Sequence, residues 1–159
     1  MAKPHILYAM THSLYSGRAR SYLIKHQIPF QELSTGHESF KAEVLPKGKL
    51  PTIPTLVTPE GEVIRDGAAI IEHFEAALGR PSRPTGPKQR IISALFDVIG
   101  TDGLLRPAMH YRWNFEQDNE DFLLFHFQTI FAEEDSEQAA RDRMAFIRVN
   151  VNPVWGVTR

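Results

Sequence analysis

Three polar side chains lie where predicted elements begin or end. Tyr8 closes an apolar run, Ser13 precedes a helical pattern, and Asp66 precedes another. Serine and aspartate in such positions cap a helix by accepting a main-chain N–H, and the same helix start attracts an anionic ligand. Each of these residues is therefore either structural, as a cap or a core side chain, or a hydrogen-bonding group that meets a ligand.

The composition excludes several classes of chemistry. The 159 residues include no cysteine, which removes disulfides, thiolate metal sites and the cysteine-based reactions of thioredoxin-type enzymes. A formal net charge of −1 gives no electrostatic basis for nucleic-acid binding, and no apolar run approaches the roughly 20 residues that span a bilayer. No histidine or carboxylate spacing is typical of a metal site. We expect a cytoplasmic protein without a metal, a nucleic-acid partner or a membrane span.

The first half of the chain alternates between strand and helix patterns. Residues 5–9 and 30–33 are typical of strands, and residues 14–26 between them have helical spacing. Residues 38–45 are at most weakly helical, and the proline and glycine content of residues 45–51 predicts a loop.

A hairpin and a further helix complete this half. Residues 52–57 and 62–65 are rich in β-forming residues and flank a Pro-Glu-Gly turn, which predicts an antiparallel pair. Asp66 and Gly67 then open a helix, so the predicted order is β-α-β-α-β-β-α. The apolar face of that last helix consists of Ile70, Ile71, Phe74 and Leu78.

A proline-rich segment separates this half from a purely helical one. Three prolines and two glycines in residues 79–87 predict a linker. A first helix from Lys88 has an apolar stripe and extends over residues 104–113 after a break at Gly100 or Gly103. The stripe comprises Ile91, Leu95, Val98 and Ile99.

The remaining helices are predicted from charge and apolar spacing. The acidic cluster over residues 118–121, in which residue 119 is asparagine, suits a helix start and precedes an apolar run over residues 122–131. Asp135 and Gln138 have the spacing of a capping box, and Pro153 is expected to end the helix that follows. The apolar face of this helix comprises Ala140, Met144 and Ile147.

Three motifs in this order resemble the glutathione S-transferase superfamily. The segment from Ser13 to Arg20 resembles S-x-x-x-x-R-V/A-R at the start of the family's first helix, and Ile53–Pro54 resembles its V-P pair, in which the proline is cis. The segment from Asp66 to Phe74 resembles E/D-S-x-x-I-x-x-Y-L. The similarity covers residues 4–78, whereas residues 88–155 share only helical character with a family domain that is normally longer.

The resemblance implies a fold and a domain organisation. It implies a thioredoxin-like α/β domain over residues 1–78, a linker over residues 79–87, and an all-α domain over residues 88–159 that is incomplete. It also implies that the protein binds glutathione as a co-substrate, transfers it to a small hydrophobic electrophile, and forms a homodimer.

In the family, a hydroxyl at the first strand or helix activates the glutathione thiol. A thiol with a pKa near 8.5 needs about 2.7 kcal/mol of differential stabilisation to shift by two units. A hydrogen bond to the charged sulfur supplies about 1.5–3 kcal/mol, and a helix start adds about 0.3–1 kcal/mol. Under the resemblance Ser13 has this role or is a plain cap. Tyr8 is the rival donor, since some branches use a tyrosine there, although a core tyrosine is the favoured interpretation of Tyr8.

Other residues are assigned by the same resemblance. The main chain of Ile53, beside a cis Pro54, would pair with the cysteinyl part of glutathione. Pro51 follows a similar motif, but its distance in sequence from Asp66 fits less well. Asp66 would meet the γ-glutamyl ammonium, and the N–H of Gly67 the γ-glutamyl carboxylate.

The glycyl carboxylate and the electrophile are assigned less uniquely. Lys49 or Lys47 would meet the glycyl carboxylate, or either is an ordinary solvated lysine. Met109, Tyr111 and Trp113 (with His110 beside them) would line the acceptor pocket, or they are core side chains.

The sequence also permits a function without catalysis. Gly67 stands where the family has serine or threonine, so one hydroxyl that would meet glutathione is missing. This absence and the incomplete helical domain favour, as the alternative, a non-catalytic dimerisation or protein-interaction module.

Overall fold

Main-chain pairing joins four short strands into one mixed sheet. The computed structural model describes residues 3–47, 51–79, 82, 84–131 and 136–156. The sheet has the order β2-β1-β3-β4, in which β1 is parallel to β2 and antiparallel to β3, and β3 is antiparallel to β4. The strands are His5–Tyr8 (β1), Phe30–Leu33 (β2), Thr55–Val57 (β3) and Val63–Arg65 (β4).

The third strand is shorter than predicted. The sequence predicts it from residue 52, but pairing begins at Thr55. Pro54 has no N–H to donate to a neighbouring strand, and its peptide bond with Ile53 is cis, the isomer that the resemblance predicts. The main chain before Thr55 therefore remains outside the sheet.

Outside the sheet, the described residues form six α-helices and several tighter or wider helical turns, joined by loops. Wider π-type turns span Phe40–Val44, Ile99–Gly103 and Ile147–Val151, and 3-10 turns span Leu45–Lys47 and Asn152–Trp155. The α-helices are Leu14–Lys25 (α1), Gly67–Leu78 (α2), Pro87–Val98 (α3), Leu105–Trp113 (α4), Glu116–Gln128 (α5) and Ser136–Phe146 (α6).

Several predicted boundaries are corrected. The Leu45–Lys47 segment forms a 3-10 turn where a loop was predicted. Helix α5 begins at Glu116, before the acidic cluster over residues 118–121. Helix α6 ends at Phe146, although helical turns continue past Pro153, because proline is tolerated in the first turn of a new helical segment. Asp135, predicted as a cap, lies outside the described residues.

The sheet has a buried core on each face. Helices α1 and α2 cover one face, and the turn at Phe40–Val44 covers the other. Because successive strand residues point to opposite faces, Leu7 belongs to the first core and Tyr8 to the second. The first core contains Leu7, Ala9, Ala19, Tyr22, Leu23, Leu56, Ile70 and Phe74, and the second contains Tyr8, Phe40, Val44 and Val57.

The chain divides into two compact units, residues 1–80 and residues 81–159. In the second unit, α3 has no buried residue among those described. The described part of the chain contains no helix with the length and apolarity needed to cross a membrane. The buried apolar residues of the second unit are Leu105, Trp113, Leu123, Phe127, Ala140 and Met144.

Candidate functional site

Ser13 caps α1, as the sequence predicts. Its main chain is extended (φ −79°, ψ 121°), and its Oγ accepts a hydrogen bond of 3.2 Å from the N–H of Ser16. This bond occupies a lone pair of Oγ and does not use the hydroxyl proton. The Ser13 side chain can therefore cap the helix and donate to a second group at the same time.

The second predicted anchor is the segment around the cis peptide bond. Pro54 is buried and Ile53 half-buried. The Thr55 hydroxyl donates to the carbonyl of Thr52 at 2.7 Å, which closes the turn that contains the cis bond. The carbonyl of Pro54 accepts from the N–H of Asp66 at 3.1 Å, so this turn is joined directly to the start of α2.

Asp66 caps α2 from an unusual main-chain conformation. Its φ of 77° with ψ of 140° is a region that non-glycine residues rarely adopt. Its Oδ1 accepts from the N–H of Ala68 at 2.7 Å, and the side chain is otherwise exposed. Strain of this kind is concentrated at functional sites, so the conformation is consistent with a constrained binding group.

Gly67 lies directly against α1. A Cβ atom at this position would lie 3.3 Å from the carbonyl oxygen of Tyr15 and 3.5 Å from Cδ of Arg18. The contact with Tyr15 is tighter than nearly all Cβ contacts, which gives a steric reason for glycine where the family has serine or threonine. The start of α2 thus lies beside the first turn of α1, two residues from Ser13.

These contacts bring three of the predicted anchors together. Ser13 begins α1, Gly67 packs on the same turn of α1, and Asp66 is hydrogen-bonded to Pro54. A helix start with a hydroxyl, a second helix start with a carboxylate, and the main chain around a cis proline therefore share one region of the first unit.

Tyr8 is held on the opposite face of the sheet. Its side chain is fully buried, its ring contacts Phe40 at 5.1 Å, and its hydroxyl lies 2.6 Å from Oγ of Ser39. The Ser39 hydroxyl also lies 2.7 Å from Nδ1 of His37. The rival donor is therefore part of a separate hydrogen-bond network. Ser39 could not be predicted as its partner, because the contact joins residues 31 positions apart.

Lys47 and Lys49 are the two candidates for contact with the glycyl carboxylate. Lys49 lies outside the described residues. Lys47 donates to the carbonyl of Gly61 at 2.9 Å, in the turn between β3 and β4. The predicted contact with a glycyl carboxylate stays a prediction for both.

The predicted acceptor-pocket residues belong to the second unit. Met109 is half-buried, and the exposed Tyr111 stacks on Phe115 at 5.5 Å. Trp113 is buried and packs on Phe127 and under the guanidinium of Arg148. Trp113 is therefore a core side chain of the second unit, as the alternative predicts. The acceptor pocket stays a prediction.

Comparison with protein families identifies the amino-terminal part. Residues 7–82 match the model for the glutathione S-transferase N-terminal domain. This range contains each anchor of the site described above, from Ser13 to Gly67. Comparison with curated proteins found no match.

Solved structures show the same fold at low identity. A glutathione S-transferase from Methylobacterium radiotolerans, in complex with glutathione sulfonate, is 18% identical, with 93% of this chain and 68% of that chain covered and a TM-score of 0.54. A possible glutathione S-transferase from Rhodopseudomonas palustris is 18% identical over 93% and 72%, with a TM-score of 0.53. Glutathione transferase Omega 3C from Trametes versicolor is 18% identical over 93% and 57%, with a TM-score of 0.51. The chain thus spans 57% to 72% of the length of these structures.

Proposed function

We propose that this chain, whose residues 7–82 match the glutathione S-transferase N-terminal domain, is a member of that superfamily that binds glutathione and transfers it to a small hydrophobic electrophile. The observation that carries the proposal is the close approach of Gly67 to the first turn of α1. This contact supports the proposal because the start of α2, which is hydrogen-bonded to the cis-proline turn through Asp66, lies beside the first turn of α1, two residues from Ser13. Solved relatives contain bound glutathione or glutathione sulfonate, which supports the same ligand class here.

The γ-glutamyl and cysteinyl parts of glutathione each have a chemically matched group in the first unit. The Asp66 carboxylate pairs with the γ-glutamyl ammonium, and the N–H of Gly67, in the first turn of α2, meets the γ-glutamyl carboxylate. The main chain of Ile53 pairs with the cysteinyl residue in the manner of an added strand. The γ-glutamyl and cysteinyl residues are then both held, and this fixes the position of the sulfur.

Ser13 stabilises the thiolate form of the bound tripeptide. Its hydroxyl proton is not used by the cap, so it can be donated to the sulfur. That bond, worth about 1.5–3 kcal/mol for a charged acceptor, lowers the pKa of the thiol by about 1–2 units. The thiolate then attacks the electrophilic carbon, its proton having passed to water, and the leaving group departs with the electron pair of the broken bond.

The geometry favours Ser13 over Tyr8 as the donor. Tyr8 is fully buried and its hydroxyl is already hydrogen-bonded to Ser39. To reach a thiolate, the Tyr8 side chain would have to leave a core that also contains Phe40. Ser13 needs no such rearrangement.

The test compares two serines of the same segment and one tyrosine. Ser13→Ala should raise the pKa of the bound thiol by about 1–2 units and lower kcat at neutral pH about 10- to 100-fold. Ser21→Ala, at an exposed position of α1, is the matched control and should change neither. Tyr8→Phe should leave both unchanged and cost about 1 kcal/mol of stability.

Two outcomes would change or overturn the proposal. Thiolate absorbance in the ultraviolet gives the pKa, and conjugation of a model electrophile gives kcat. Loss of the thiolate in Tyr8→Phe would move the role to Tyr8. A protein that binds no glutathione in calorimetry and conjugates nothing would contradict the proposal as a whole.

A non-catalytic module is the second candidate, favoured by the exposed face of α3. Ile91, Leu95 and Phe96 each expose more than half of their surface, and such faces commonly mark protein contacts. We propose that the protein forms a homodimer that buries this face, whether it acts as a transferase or as a non-catalytic module.

A cytoplasmic location stays a prediction.

A further inference from the structure

Arg20, which has no role in the proposed chemistry, contacts the loop before Ser13 through the main chain of Met10. The carbonyl of Met10 accepts two hydrogen bonds, from the N–H of Ser13 at 3.0 Å and from Nη2 of Arg20 at 3.3 Å. The N–H of Met10 lies 3.4 Å from Oγ of Ser16, whose own N–H donates to Oγ of Ser13. Both polar main-chain groups of Met10 are thus tied to the segment that carries the Ser13 hydroxyl.

Arg20 is itself held rigidly by a carboxylate on the sheet. Its Nε and Nη2 lie 2.6 Å from the two carboxylate oxygens of Glu32, a fork-shaped pair in which both side chains are about three-quarters buried. The hydrogen bonds that Arg20 donates to the Glu32 carboxylate raise the pKa of Arg20, so the guanidinium stays charged. Glu32 lies on β2, which pairs with β1, the strand that leads into Met10.

We propose that Arg20 is a positioning residue that, held by Glu32, fixes the Met10 carbonyl and through it the direction of the Ser13 hydroxyl. The inference rests on the proposed function, because it assumes that Ser13 donates to a thiolate. Arg20 touches neither glutathione nor the reacting atoms. It acts on the thiolate only through Ser13, whereas Asp66 and Ile53 bind the tripeptide from other elements.

This arrangement predicts a specific pattern in Arg20→Met. The pKa of the bound thiol should rise by about one unit, and kcat at neutral pH should fall about tenfold. The KM for glutathione should stay within about twofold, since the anchors of the tripeptide are unchanged. In a Ser13→Ala background, Arg20→Met should cause no further rise of the thiol pKa, because the group that it positions is gone.

A charge swap separates positioning from simple stabilisation. The double variant Arg20→Glu with Glu32→Arg restores an ion pair, but a carboxylate at position 20 has no proton to donate to the Met10 carbonyl. It should recover thermal stability relative to Arg20→Met while its thiol pKa stays raised. Arg20→Lys, which keeps the charge but lacks the fork, is the second variant if Arg20→Met does not fold, and it should raise the thiol pKa in the same direction.

The matched control is Arg141→Met. Arg141 also pairs with carboxylates, those of Glu120 and Glu137, but on the exposed surface of the second unit. Its removal should leave the thiol pKa, kcat and KM unchanged.

The possible results are distinguishable. If Ser13→Ala shifts the thiol pKa but Arg20→Met and Arg20→Lys do not, the positioning role is wrong and the proposed function stands. If the charge swap restores the thiol pKa together with stability, Arg20 is only structural. If glutathione binds but Ser13→Ala leaves the thiol pKa unchanged, the proposed activation by Ser13 fails, and the role of Arg20 fails with it.

Discussion

Helices α2 and α3 both have an apolar face, but within the described residues only α2 buries part of that face. Ile70 and Phe74 on α2 are 0% and 5% exposed, whereas Leu95 and Phe96 on α3 are 58% and 69% exposed. The spacing of apolar residues therefore indicates which face of a helix seeks a partner. It does not indicate whether that partner lies within the same unit.

Truncating one phenylalanine on each helix should show the largest difference. Phe74→Ala removes a ring from the core under the sheet and should lower the free energy of unfolding of the first unit by about 3–5 kcal/mol. Phe96→Ala removes an exposed ring and should change the stability of the monomeric chain by no more than about 0.5 kcal/mol. Denaturant unfolding at low protein concentration measures both.

Equal losses of unfolding free energy in Phe74→Ala and Phe96→Ala would contradict the difference between α2 and α3. A cost of several kcal/mol for Phe96→Ala in a monomer would mean that the face of α3 is covered by other parts of the chain. The proposed dimer would then lose its motivation.

The second prediction concerns what covers α3. Phe96→Glu places a charge in the proposed dimer contact, where a buried large apolar side chain contributes about 1.5–3 kcal/mol. The dissociation constant of the dimer should rise about tenfold or more. Val149→Glu, at a position of the second unit that is 70% exposed and not on α3, is the matched control and should leave the constant unchanged. Sedimentation over a range of concentrations measures it, and a chain that is monomeric before substitution would contradict the dimer.

The smallest predicted effect is a pH dependence in the first unit. Burial lowers the pKa of His5 and nearby His73 lowers it further, while the Glu60 carboxylate opposes the shift. The folded state therefore binds fewer protons than the unfolded chain, whose histidine pKa is about 6.5. This contribution to stability is fully present above that value and is lost as the pH falls towards the folded pKa.

A substitution isolates this contribution. In His5→Phe, the unfolding free energy between pH 7.5 and pH 5.5 should fall less steeply than in the original chain. An equal slope in both proteins would show that His5 does not titrate with folding.

Much of the first unit could be predicted from its sequence because local signals agree with the fold. The alternation at Phe30–Leu33 and the cap at Ser13 are local features, and both are observed. The predicted start of β3 at residue 52 is wrong, although residues 52–57 have high β propensity, because Pro54 has no N–H to donate to a neighbouring strand. The second unit has weaker signals: α5 starts without a side-chain cap, after Phe115, so its boundary could not be read from capping residues.

The residues that cap α1 and α2 at the candidate site could be predicted from the sequence, but the contacts that hold them in place could not. Ser13 and Asp66 were found because helix caps have a recognisable composition. Arg20 was seen only as part of a motif, and its pairing with Glu32 depends on how α1 lies against β2, which no local pattern encodes. The reason for Gly67 likewise appears only when α2 is packed on the carbonyl of Tyr15.

A crystal structure of the full chain with bound glutathione is the most direct test of the central claim. We predict that the sulfur lies within hydrogen-bond distance of Oγ of Ser13, with the cysteinyl main chain paired with Ile53 and the γ-glutamyl ammonium against Asp66. Glutathione bound elsewhere, or with its sulfur turned away from Ser13, would contradict the claim.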